Sequence, residues 1–155
     1  MKKLNFTMRE TKEDLKHEGM LANTMAEILY AKASKAHAKY RIDGWFHQNK
    51  NLVGWFECKW YSQGHKAFVM LNVPKFKQLV DLAELTGKPS YFLMREKQGP
   101  DVPGRMGYIL IHDGKKIQCQ YECKIAGGTP PGRKPLPDDV EPLIIFSYSE
   151  IVWAA

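Results

Sequence analysis

The chain has no long apolar run. Nothing in its 155 residues approaches the roughly 20 apolar positions that a membrane-crossing helix needs, and the N-terminus lacks the apolar region of a signal peptide. A membrane is therefore not an expected partner. Cysteine is scarce. Three thiols, an odd number, argue against a disulfide framework and for a reducing, cytoplasmic setting. Cys119 and Cys123 are four apart on an expected strand and so share a face, but no second Cys/His pair with zinc-ligand spacing accompanies them. Internal repeats, low-complexity tracts, a glycine-rich phosphate loop and a nucleophile motif are absent as well. What remains for chemistry is carboxylates, lysines and aromatics.

At 44% hydrophobic residues the chain is long enough to bury a real core, and residues 1–155 read as a single domain. Its charge is uneven. Residues 1–80 hold 14 Lys and Arg against 7 Asp and Glu, whereas residues 81–155 hold 9 against 10. The excess of cations in the first half, with a pI near 9.2, favours a polyanionic partner such as nucleic acid. A solvated basic helix face is the plainer alternative.

Periodicity organises the chain. Leu21, Met25, Ile28 and Leu29 form an apolar stripe, and alanines at 31, 33, 36 and 38 favour continuation, so a helix is expected over roughly Thr11–Lys39. Arg41–His47 and Leu52–Trp60 read as two strands joined by the polar turn Gln48–Asn51. Ala67–Leu71 is a further apolar run. Pro74 then opens a helical pattern in which Phe76, Leu79, Val80 and Ala83 share a face, with Gly87 past its end. Tyr91–Met94 reads as a buried strand, completing a crossover onto the sheet. Met106–Ile111 and Lys116–Tyr121 suggest a second hairpin, residues 126–135 an irregular Gly/Pro-rich loop, and Leu143–Tyr148 a last strand.

The first hairpin carries the chemistry. A turn centred near Lys50 places Asp43 directly across from Glu57, and strand alternation puts Lys59 on the Glu57 face and Cys58 on the rear, as a buried thiol. Two converging carboxylates repel unless a cation lies between them. Oxygen ligands of this kind suit Mg²⁺ or Mn²⁺, which accept phosphate oxygens and promote attack by water, and a nearby lysine can orient that water or stabilise charge. The bland alternative is an exposed cross-strand ion pair contributing roughly 0.2–1 kcal/mol. Lys32, Lys35, Lys39 and Arg41 lead into the Asp43 strand, and Lys66, Lys75 and Lys77 follow Lys59. Of these, Lys35, Lys39, Arg41, Lys66 and Lys75 are the candidate nucleic-acid contacts. Trp45 and Trp55 could stack on unpaired bases, although aromatics in strands more often pack in a core. His47 and His65 are incidental on this reading.

The order helix, hairpin with Asp43, then Glu57-Cys58-Lys59 and a crossover helix resembles the PD-(D/E)xK nuclease superfamily over roughly residues 20–95. Ile42 stands where many members have proline. The resemblance implies an α/β, restriction-endonuclease-like fold: a mixed β-sheet flanked by helices, here with extra C-terminal strands. It implies catalytic roles for Asp43, Glu57 and Lys59, with a Mg²⁺ or Mn²⁺ cofactor held by Asp43 and Glu57, helped by Glu27 and the Cys58 main-chain carbonyl. Gln78 on the crossover helix could reach a phosphate. The expected activity is metal-dependent DNA endonuclease hydrolysis, of the junction-resolving, recombination, repair or phage type. Such enzymes often act as dimers, so a homodimer joins DNA among the expected partners. A non-catalytic nucleic-acid-binding protein of the same fold is the alternative.

Overall fold

The computed structural model describes residues 12–37, 42–61, 68–97, 103–127, 132, 134–137 and 140–154. Over these it is a mixed α/β structure with a six-stranded mixed sheet, a three-stranded sheet and two helices.

Helix α1 spans Lys12–Ile28 and buries Leu21, Ala22, Met25 and Ala26. It stops well short of residue 39, because Tyr30 takes a positive φ of 52° and the chain turns back. The alanine-rich segment is instead strand β1, Lys32–Lys35, paired antiparallel with β2, Gly44–Gln48. Intrinsic helix preference is weak and loses here to a ladder and to burial of Ala36.

Strand β2 pairs with β3, Asn51–Tyr61, in the anticipated register: Gly44 opposite Phe56 and Trp45 opposite Trp55. The route to that register differs. The turn is a two-residue one, with Asn49 and Lys50 both at positive φ (48° and 65°), the backbone that matches strand twist. A bulge between Phe46 and His47 then restores the phase that a four-residue turn would have given.

Strand β4, Phe68–Asn72, runs straight into α2, Val73–Thr86. The Asn72 side chain accepts the Lys75 N–H, Pro74 sits in the first turn, and Gly87 ends the helix at a φ of 64°. This is the sequence's own punctuation. Phe76, Leu79 and Ala83 form the buried stripe, each large apolar side chain contributing about 1.5–3 kcal/mol. Strand β5, Ser90–Lys97, returns parallel to β3, and β6, Pro103–His112, pairs antiparallel with β5.

The second expected hairpin forms only at its turn. Asp113 N–H donates to the Lys116 carbonyl, Gln118 N–H to the Ile111 carbonyl, and His112 bridges Ile117, after which the chain runs irregularly to strand β7, Glu122–Gly127. The Asp113 carboxylate fastens the turn by accepting the main-chain N–H groups of Lys115 and Lys116 (2.7 and 2.9 Å). Strand β7 joins β8, Val140–Ser147, and β4 in the smaller sheet, ordered β4-β8-β7. A 3-10 turn at Tyr148–Glu150 leads to β9, Val152–Trp153, on the edge of the large sheet, whose order is β1-β2-β3-β5-β6-β9. Cys119 is buried and Cys123 exposed, so the two thiols do not share a face.

Two apolar clusters lie on opposite faces of the large sheet. One joins α1 to Phe46, Phe56, Cys58 and Leu93. The other joins α2 and the small sheet to Phe92, Met94, Ile109 and Ile111. No helix among the described residues is long and apolar enough to cross a membrane.

Candidate functional site at the hairpin

Asp43 stands just before β2. Its N–H donates to the Phe56 carbonyl (3.2 Å), and its own carbonyl accepts from Ala36 (2.7 Å), so its backbone lies beside Glu57. Its side chain does not follow strand alternation. Ile42 is buried in the α2-side core, and Asp43 turns the other way. There Asp43 Oδ2 accepts the Cys58 main-chain N–H at 2.7 Å and lines a cavity of about 180 Å³ against α1.

Glu57 points to the opposite face. It is only 1% exposed, and Oε1 is ion-paired to Lys75 Nζ from the first turn of α2. Oε2 is buried and has no hydrogen-bond partner among the described residues. An anionic oxygen left in that state is costly, and a donor or cation is the usual remedy. Lys59, two residues on, donates from Nζ to the Met70 carbonyl of β4 (3.1 Å). The two carboxylates are thus engaged on different sides of β3. The common patch expected from alternation is not what the side chains form.

Glu27 is exposed near the end of α1 and does not line the cavity at Asp43. The α1 glutamate that does is Glu18, which also pairs with Lys35 (3.2 Å). Glu18 was legible: it lies three residues before Leu21 and four before Ala22, so it extends the apolar stripe by one turn. Cys58 faces the same side. Its Sγ approaches the Glu18 carbonyl at 3.9 Å. Burial pushes the thiol well above its usual pKa, and Asp43 and Glu18 add to that while Lys35 opposes it. A protonated, buried thiol is a poor metal ligand.

Among the cation candidates, Lys75 is spent on Glu57, and Lys35 lies between Glu18 and a second cavity. Gln78 also lines that second cavity. Lys39, Arg41 and Lys66 lie outside the described residues.

Whether a hard divalent ion fits can be judged from the donors. Mg²⁺ keeps several waters and is held by one or two protein carboxylates rather than by a full cage. The unpartnered Glu57 Oε2 supplies one such oxygen, and Asp43, engaged on the other side of β3, does not supply a second. The described residues contain no group of three His, Cys, Asp or Glu side chains that could hold a metal. The donor chemistry therefore fits a water-rich site anchored on Glu57 and excludes a closed cage among those residues. No family model, curated protein or solved structure matches this chain.

Proposed function

We propose that the chain is a divalent-metal-dependent DNA endonuclease of the PD-(D/E)xK kind. The observation that carries this reading is Glu57: a buried carboxylate with one unpartnered oxygen among the described residues, two residues before Lys59. Support also comes from the order of elements. An antiparallel β1-β2-β3 meander, a crossover helix and a parallel β5 form the arrangement that the restriction-endonuclease-like fold would require.

On this reading Glu57 would hold Mg²⁺ or Mn²⁺ through Oε2, with waters and phosphate oxygens completing the shell, while Asp43, on the α1 side of β3, steadies the Cys58 main chain. When bound, the ion would act as a Lewis acid towards a phosphodiester and its attacking water. Lys59 positions the nucleophile or stabilises charge on the phosphate. Lys75 neutralises Glu57 and is placed so that its ammonium could also meet a phosphate. Glu18, in place of Glu27, is the helix carboxylate beside Asp43. A junction-resolving or repair substrate fits the basic first half of the chain, and a homodimer would fit such a substrate.

A second reading is favoured by one observation. Lys75 already pairs with Glu57, and Asp43 already satisfies the Cys58 N–H, so both carboxylates have structural employment without metal. That would suit a non-catalytic nucleic-acid-binding protein. Cleavage of labelled linear duplex, single-stranded and four-way-junction DNA with Mg²⁺, Mn²⁺ or EDTA separates the two. The endonuclease reading expects metal-dependent cutting that Glu57→Gln and Lys59→Ala each abolish. Binding without cutting on every substrate would overturn it.

A further inference from the structure

The larger cavity, about 760 Å³, opens beside the hairpin on the α2 side of the sheet. Trp45 and Trp55 form its aromatic floor, their rings 6.5 Å apart and inclined at 63°. The Trp55 indole is held in place, because Nε1 donates to Thr86 Oγ1 at 3.1 Å. Leu82 and Gln78 from α2 make the facing wall. Lys35, Lys50, His37 and His47 also line it, and among the described residues no carboxylate does. Aromatic rings beside Lys50, and beside Lys35 where it reaches over to Glu18, are complementary to a base and its phosphate. The groove lies near the proposed centre along β3 and α2. Trp55 and Glu57 are alternate residues on one face of β3, about 7 Å apart along the strand, and Gln78 lies one turn beyond Lys75 on α2.

We infer that this groove binds an unpaired nucleobase, so that the chain engages single-stranded DNA next to Glu57. The inference deepens the endonuclease reading and rests on it for the choice of DNA, but its geometry stands independently of cleavage. A duplex offers no free base face to Trp45, because stacked and paired bases present only their edges. A single strand, a frayed end or a junction centre does.

The test is fluorescence anisotropy of a labelled oligothymidylate and of a blunt duplex of equal length, in EDTA so that nothing is cut. The wild-type chain is expected to bind the single strand more tightly than the duplex. Trp45→Ala should weaken single-strand binding roughly 5- to 150-fold and leave duplex binding nearly unchanged. Trp45→Phe keeps a stacking face and should retain most of the affinity. Trp45 belongs to neither apolar core cluster, and circular dichroism of each variant checks its fold. Equal single-strand affinity in Trp45→Ala and wild type would overturn the inference, as would a wild-type preference for duplex. The two readings fail separately. A chain that binds single strands through Trp45 and never cuts loses the endonuclease reading alone. A chain that cuts with Mg²⁺ while Trp45→Ala binds normally loses the groove alone.

Discussion

Replacing Lys75 by methionine removes the cation that meets the buried Glu57 carboxylate. Glu57 is 2% exposed in its side chain and Lys75 37%, so the pair is buried at one end and wet at the other. Removing one member of a buried pair costs about 3–5 kcal/mol, because the remaining charge is stranded. The partial exposure of Lys75 puts this site at the low end, about 3 kcal/mol. For a chain of this size that corresponds to a fall in Tm of about 6–12 °C. Glu57→Gln should cost less, about 1–2 kcal/mol, since the freed ammonium can reach water. The double variant should then be more stable than Lys75→Met alone, and that non-additivity is the signature of the pair. A divalent ion adds a second readout. If Mg²⁺ takes up the unpartnered Glu57 oxygen, saturation to ten times Kd contributes about 1.4 kcal/mol, or about 3–6 °C, in Lys75→Met. It should contribute nothing in Glu57→Gln. Thermal unfolding followed by circular dichroism, with and without Mg²⁺, measures both. A Lys75→Met cost below about 1 kcal/mol that adds simply to Glu57→Gln would refute the reasoning.

Other expectations follow from particular contacts. Asp43→Ala leaves the Cys58 N–H without its acceptor and should cost about 1–3 kcal/mol, whereas Asp43→Asn keeps an acceptor and should fold almost normally while losing cleavage; urea titration beside the cutting assay distinguishes them. Asp113 accepts the N–H groups of Lys116 and Lys115, which hold its carboxyl below the ordinary 3.8. Because its folded pKa is depressed, its contribution is present above about that value and lost as pH falls through the folded pKa; a carboxyl-detected NMR titration should find a low midpoint that Asp113→Asn abolishes as a stability effect. Burial, with Glu150 nearby, pushes the Cys119 thiol up to about 12, and Cys58 is likewise raised, so at pH 8 a thiol reagent should label exposed Cys123 quickly and the other two only after denaturation. At Gly44 a Cβ would sit 2.1 Å from the Ser34 carbonyl, so Gly44→Ala should separate β1 from β2 and cost about 1–3 kcal/mol in denaturant unfolding.

The parts that were readable from the chain are those specified locally. The α2 helix announces itself through Asn72, Pro74, its apolar stripe and Gly87, all within one segment. The hairpin register followed from one turn and from alternation, and it held even though the turn is shorter, because the bulge compensates. The misread parts depend on distant partners. Nothing in Lys32–Lys35 signals a strand until β2 lies beside it; β4 and β8 were legible as apolar runs, but their pairing in a separate sheet was not, because they lie far apart in the chain. The site divides the same way. The ladder expected between the strands runs from Gly44 onward, but Asp43 lies just outside it, and burial of Ile42 on the α2 side turns the Asp43 side chain to the α1 side, a tertiary fact. Lys75 was read as a surface cation because its partner, Glu57, lies 18 residues earlier.

That Glu57 anchors a divalent ion on the α2 side of β3 is tested most directly by electron paramagnetic resonance of Mn²⁺ titrated into the chain. The wild-type protein should remove free Mn²⁺ signal with one saturable site, competed by Mg²⁺ and lost in Glu57→Gln. Undiminished free Mn²⁺ in the presence of the wild-type chain and a phosphorothioate oligonucleotide, or binding unchanged in Glu57→Gln, would contradict it.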